Sequence, residues 1–270
     1  MLKVSRSGYY EWVKAGFPSE ADREAVLLAR IKQVERENHG NYGVTRVHEA
    51  LNEEQGLRVS RRRVQRAMHE NGIRARRCSK YKPQATKADP NEAAYPNLLE
   101  QNFGVDRRNK VWLADITYIR VGGNWAYLAV VLDLFGRKPI GWALGSNPTA
   151  ELACIALRRA LERRKPGAGL THHSDRGCQY TSHAYRKLLD KHKISGSMSR
   201  KGNPYDNAPM ESFFKTLKVE WVNWYIYRSM SEALSSLFYF IDVYYCCKRI
   251  HSALGFKSPK NYEKRILPAI

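Results

Sequence analysis

A chain of 270 residues, 43% of them hydrophobic, can build one large domain or two modest ones around real cores. A formal charge of +20 with a pI near 9.8 favours a polyanionic partner, nucleic acid ahead of a membrane surface. The longest apolar run, WAYLAVVL at 125–132, falls far short of the roughly 20 residues of a spanning helix. The N-terminus also lacks an apolar signal core, so a cytoplasmic protein, nucleoid-associated through DNA, is the expectation. The five cysteines (Cys78, Cys154, Cys178, Cys246 and Cys247) are odd in number and form no C-x-x-C pair. They exclude a disulfide framework or a zinc site and read as reduced thiols.

In chain order, SRSGYYEW (5–12) is a short aromatic segment. Within 20–38, Ala25, Leu28, Ile31 and Val34 recur at helical spacing. Residues 44–72 carry two short amphipathic helices around Gly56. Val47, Ala50 and Leu51 form the apolar face of the first, and Val64, Ala67 and Met68 that of the second. Ser60 is a good N-cap for the second helix, and Asn71-Gly72 stops it. This is a helix-turn-helix pattern. Arg61, Arg62, Arg63 and Arg66 lie off the apolar face, as in a helix entering or crossing a DNA groove. From Leu57 to Lys87 there are eleven Lys and Arg against one acid, Glu70. Arg74, Arg76 and Arg77, with Lys80 and Lys82, are expected to follow phosphates. A generic helical hairpin with a solvated basic face remains the alternative.

Residues 1–87 therefore read as a helical N-terminal region and the proline-containing, aperiodic 88–104 as a linker. Residues 105–220 read as a catalytic core, and 221–270 as a C-terminal helical extension. In the core, VWLADITYIR (111–120) is a strand, Gly122-Gly123-Asn124 a hairpin turn, and NWAYLAVVLDL a buried second strand. KPIGWALG is a third strand, followed by a helix capped by Thr149, whose apolar positions include Leu152, Ile155, Ala156 and Leu161. GLTHHSD is a fourth strand ending at Asp175. A helix over 183–191, the strand KISGSM and the loop SRKGNPYDN lead to a helix carrying Glu211. Three strands, then helix, strand, helix, strand, helix, predict an α/β mixed sheet with flanking helices.

Asp115, Asp175 and Glu211 are the candidate metal ligands. Hard divalent cations prefer oxygen donors and take one or two protein carboxylates each. Two ions sharing one carboxylate need about three acids, and such a pair serves an attacking and a leaving oxygen at phosphorus. Asp115 lies inside an apolar strand, where a buried carboxylate must be paired or coordinated. Asn207, Glu211, Lys215 and Lys218 share one helix face, on which the two lysines could reach phosphates. Taken alone, Glu211 reads more readily as half of a surface Glu–Lys pair than as a ligand. Asp206 or Asn207 is the expected cap of that helix. Asp133 is a competing acid read as binding turn N–H groups. His172 and His173 read as structural, and Ser174 and Cys178 lack the base and orienter a nucleophile needs. Beyond an apolar C-terminal stripe of Leu234, Leu237, Phe238, Ile241 and Tyr245, residues Arg249, His251 and Lys257 either reach DNA or pack back on the core.

Five long motifs carry a family resemblance. They are Trp112-x-x-Asp115-Ile116-Thr117, YLAVVLDLF (127–135), HSDRGCQYTS (173–182), SRKGNPYDNA (199–208) and ESFFKTLKVE (211–220). Together with SRSGYYEW and RIHSALGFKSPKNYE (249–263), they resemble the insertion-sequence DDE transposases, second-frame (orfB-type) subunit, whose core is similar to retroviral integrase. The 35 residues between Asp175 and Glu211 match that group's spacing. The resemblance implies an RNase H-like core and a catalytic triad of Asp115, Asp175 and Glu211. It also implies two Mg²⁺ or Mn²⁺ ions when DNA is bound, and DNA cleavage and joining at element ends. Lys201 joins the basic residues expected to meet DNA. A homo-oligomer on DNA and the upstream-frame subunit of the same element are the implied partners, since the active enzyme often carries further N-terminal sequence joined by frameshifting. Cys178 stands where the family usually has Ser, and Cys246 where it usually has Asn. A DNA-binding regulator with a dead core and a nuclease without strand transfer are the alternative functions.

Overall fold

The computed structural model describes residues 5–14, 19–53, 56–76 and 94–266, which fall into two compact units divided between residues 76 and 77. The first unit is helical: α1 (Arg6–Lys14), α2 (Glu20–Glu37), α3 (Val44–Glu53) and α4 (Arg61–Glu70). A capping box fixes the start of α2, with the Ser19 hydroxyl accepting from the Asp22 N–H and the Asp22 carboxylate accepting from the Ser19 N–H. Leu27, Ile31 and Val34 of α2 are buried, as are Val47, Ala50 and Leu51 of α3 and Val64, Ala67 and Met68 of α4. The buried stripe of α2 is therefore shifted from the one expected. Ala25 is exposed and Leu27 takes the inward position. Ser60 caps α4 by accepting from the Arg63 N–H.

The second unit holds one five-stranded sheet, with order β3-β2-β1-β4-β5. Strands β1 (Val111–Val121), β2 (Asn124–Asp133) and β3 (Lys138–Gly145) form an antiparallel meander. Strands β4 (Thr171–Ser174) and β5 (Ser195–Met198) add in parallel on the far side of β1. Side-chain alternation along β1 divides the core. Leu113, Ile119 and Val121 face one apolar cluster, and Trp112 and Ala114 face the other. On the second face lies α5 (Ala150–Arg164), together with Tyr180 from α6 (Cys178–Thr181) and Tyr185 and Leu189 from α7 (His183–Lys191). The first face is covered by α8 (Ala208–Glu220), α9 (Met230–Phe238) and a π-helical stretch, Tyr239–Lys248.

Residues 221–266 are thus part of the core's packing rather than an appended extension. Trp221, Ala233, Leu237, Phe240, Ile241, Tyr244 and Tyr245 belong to the same cluster as β1 and β2. Of the expected apolar stripe, Leu237, Ile241 and Tyr245 are buried. Leu234 and Phe238, expected inside, are 46% and 54% exposed, while Phe240 and Tyr244 are buried. Arg249 packs back: it donates to both Glu220 carboxylate oxygens at 2.6 Å and is buried. The last helix, α10 (Pro259–Ile266), is tied to the sheet edge by Glu263, which pairs with Lys138 at 2.9 Å and with Arg164. Among the described residues, no helix is long and apolar enough to cross a membrane.

Candidate active site and nucleic-acid interface

The sheet register brings two of the three acids level. β1 and β4 run parallel with Leu113 opposite His173. Asp115 and Asp175 each lie two residues further on, so both project to the face that carries Leu113, which is the face covered by α8. Asp115 remains inside β1, opposite Val130 of β2, and its Oδ1 accepts from the Ile116 N–H at 2.7 Å. Asp175 follows the end of β4, where its Oδ1 accepts from the Gly177 N–H at 3.0 Å. A Cβ on Gly177 would lie 2.8 Å from Gln179 Oε1 and 3.0 Å from Asp175 Oδ1, so a larger residue there would push those two side-chain ends aside.

Glu211 arrives from the first turn of α8, exposed to solvent. The start of this helix is tied to β1 by Asn207, whose Nδ2 donates to the Ala114 carbonyl at 3.3 Å, one residue before Asp115. The expected helix cap is absent: Asn207 makes no side-chain cap bond to α8. Asn203 instead caps the preceding 3-10 turn, Pro204–Asn207, by accepting from the Tyr205 N–H.

The electrostatics mark Asp115 as the centre. Burial and then the neighbouring Asp175 charge push its carboxyl well above the usual range, and Glu211 adds to the same shift. The Ile116 N–H and the Lys218 ammonium oppose it. Burial also raises Glu211. Lys218 departs from the expected phosphate-reaching ridge, being only 4% exposed. Its Nζ sits 4.1 Å from the Tyr118 ring centroid and interacts with Asp115, and burial lowers it to about 8. Asn207 is buried as well, so of the four residues on that face only Glu211 and Lys215 stand out to solvent.

The donor chemistry fits a hard divalent cation. Two carboxylates are level on adjacent strands, a third lies on the helix over them, and their mutual repulsion is the kind a cation relieves. The fit is to a partly assembled site, because among the described residues no three His, Cys, Asp or Glu side chains are gathered into a ready coordination set. The histidines have other work. His173 bonds Ser197 and Ser199 through its two ring nitrogens, at 2.8 and 3.1 Å, and His172 bonds the Tyr185 hydroxyl at 2.9 Å. Asp133 accepts from the Asn109 and Phe135 N–H groups, as a turn-binding acid would.

Sequence reasoning missed how the segment before Glu211 is held. Asp206, fully buried, accepts six hydrogen bonds, from Asn97, Gln101, Asn203 and the Arg200 backbone and guanidinium. The Arg200 contacts hold its carboxyl well below the usual range. The signal was present as Arg200, Asn203 and Asp206 in SRKGNPYDN, but the partners Asn97 and Gln101 lie about a hundred residues away in the segment read as a linker.

In the helical unit, Arg61 and Arg62 are exposed on α4. Arg63 and Arg66 both donate to Glu24 Oε1 of α2, at 2.9 and 3.2 Å, so these two are partnered rather than simply projecting outward. Arg74 is exposed. The Arg76 side chain lies against Gly40 and its backbone N–H donates to the Gly40 carbonyl. Lys201 is exposed in the second unit, and Arg77 lies outside the described residues, as do Lys80 and Lys82.

The fold is that of an integrase-core protein preceded by a helical, HTH-like module. Residues 105–204 and 192–259 match the family descriptions "Integrase core domain", and residues 21–81 match "HTH-like domain". The chain is 41% identical over 245 residues to the transposase for insertion sequence element IS904 of Lactococcus lactis subsp. lactis (strain IL1403), spanning 91% of this chain and 96% of that one. It is 38% identical over 275 residues to transposase InsF for insertion sequence IS3A of Escherichia coli (strain K12), spanning 99% and 93%. Solved structures similar to it include a chain of the simian T-cell lymphotropic virus intasome, with TM-score 0.49, 18% identity and coverage of 83% of this chain and 73% of that one. Another is the HTLV-2 integrase catalytic core domain in complex with magnesium, with TM-score 0.46, 14% identity and coverage of 58% and 97%. The chain belongs to the insertion-sequence transposases with an integrase core domain and an HTH-like domain.

Proposed function

We propose that this protein cleaves a phosphodiester bond at each end of its element and joins the freed 3′-OH to target DNA. The observation that carries the reading is the level placement of Asp115 and Asp175 on parallel strands beneath the helix bearing Glu211. Asp115, Asp175 and Glu211 would hold Mg²⁺ or Mn²⁺, which supplies activation of the attacking oxygen and neutralisation of the leaving one. The chain's own residues do the rest. Asn207 fixes the start of α8 to β1, the Gly177 N–H donates to the Asp175 carboxylate, and Lys218 places a buried cation beside Asp115.

Arg61 and Arg62 on α4, with Arg74, would meet DNA in the first unit, and Lys201 and Lys215 would contact phosphates near the acids. A charge of +20 supports DNA as the partner, and two ends cut and joined in concert imply a homo-oligomer on DNA. An upstream-frame subunit and a nucleoid-associated cytoplasmic location belong to the same proposal.

The test is incubation of the full chain with end-containing duplex and a target plasmid in Mg²⁺. Nicked ends plus joined products are expected, and EDTA should abolish both. Nicks without joined products would replace the reading with a nuclease, and metal-independent binding with no nick would replace it with a regulator.

A further inference from the structure

The loop between β5 and α8 is built to hold an aromatic ring in solvent. At one end, the Ser199 N–H donates to the Ser174 carbonyl at 2.9 Å, and Arg176 Nε donates to the Ser199 carbonyl at 2.8 Å. The loop therefore starts against the segment that carries Asp175. At the other end, Asn207 binds the carbonyl before Asp115, four residues ahead of Glu211. Between these anchors the Asp206 carboxylate closes the loop on itself through Arg200 and Asn203, and Gly202 supplies a left-handed turn at φ +70°. Asn97 and Gln101 brace the same carboxylate from outside the loop. These bonds hold the loop at both ends and in its middle, and Tyr205, next to the clamp, is 70% exposed. An aromatic ring this open, on a loop tied at several points and beside the exposed Lys201, is poised for a flat, anionic-backed ligand.

We propose that Tyr205 is a stacking platform for an unpaired DNA base beside the scissile phosphate, with Lys201 taking the adjoining backbone. A base has a π-face whatever its identity, so the platform would be sequence-tolerant and would stabilise a locally opened end. Cleavage next to a base pair needs such opening whenever the duplex blocks approach to the phosphate, and a preordered loop spends no further entropy on capturing the base. The inference rests on the proposed cleavage of DNA ends.

The test uses the full chain, with 5-iododeoxyuridine placed at the bases flanking the cleaved bond. In Ca²⁺, illumination should crosslink wild type at Tyr205, as located by peptide mass. The crosslink should persist in Tyr205→Phe and vanish in Tyr205→Ala. In Mg²⁺, Tyr205→Ala should cleave duplex ends roughly 5- to 160-fold more slowly, from the 1–3 kcal/mol a stacked base is worth, with Tyr205→Phe near wild type. Ends carrying mismatches at those bases should restore most of the Tyr205→Ala rate. Unchanged crosslinking and cleavage in Tyr205→Ala, or a crosslink mapping elsewhere, overturns the platform. Wild type that crosslinks at Tyr205 but never cleaves upholds the platform and overturns the cleavage reading instead.

Discussion

Asp206 shows how much of the candidate site depends on a residue outside the three acids. Its six hydrogen bonds exceed the roughly four lone-pair sites of a carboxylate, so the group is saturated and ionised. Hydrogen bonds to a charged partner contribute about 1.5–3 kcal/mol each in net terms, with strong overlap when they share an acceptor. Asp206→Asn should therefore lower stability by about 2–3 kcal/mol at pH 7, read by denaturant unfolding. The sign with pH follows from the direction of the shift. The folded carboxyl lies below its ordinary value of 3.8, so its contribution is fully present above that value. It is lost as pH falls through the folded titration below 3.8, and the gap between wild type and Asp206→Asn should close there. A gap that is constant with pH would mean that the charge on Asp206 is not what holds the loop. At the same scale, Lys218 corrects a helical-wheel expectation: sharing a face with Glu211 did not make it a surface lysine, because that face turns under Tyr118.

At the scale of elements, the packing of β3 against α5 is set by one small residue. A Cβ on Gly141 would come 2.6 Å from the Ala160 N and 2.8 Å from the Ala160 Cβ, and would strike the Ala156 carbonyl. Helix backbone cannot give way as a flexible side chain can, so Gly141→Ala should cost about 3 kcal/mol, read as a lower midpoint in urea. Most elements were legible in the sequence. β-branched runs, the Gly122-Gly123 turn and the caps Ser60 and Thr149 mark local structure that local chemistry decides. The acids were legible because their spacing and the apolar surroundings of Asp115 are properties of the chain itself. What stayed hidden was non-local. The partnering of Arg63 and Arg66 by Glu24 and the bracing of Asp206 by Asn97 and Gln101 depend on elements far apart in the chain. The linker reading failed for the same reason. Residues 94–104 show no helical or strand period, but Leu99 is buried in the core and the Leu98 N–H donates to Ser197.

Across the whole molecule, one idea connects the parts: a basic chain organises its sheet so that two aspartates meet beneath a helix that adds a glutamate. The 221–266 segment completes the cover on that face, and the pairing of Arg249 with Glu220 joins the end of α8 to it. Glu211 is therefore positioned from both ends of its helix, by Asn207 at the start and by Glu220 at the finish. The chemistry attributed to this arrangement stands or falls with Asp175. Replacing it with Asn removes the charge and leaves size and turn geometry nearly intact, so the variant should keep wild-type folding and DNA binding. Its Mg²⁺-dependent cleavage of end-containing duplex should fall more than about 100-fold, since several kcal/mol of transition-state stabilisation are removed. Folded, DNA-bound Asp175→Asn that cleaves at near the wild-type rate would contradict the account.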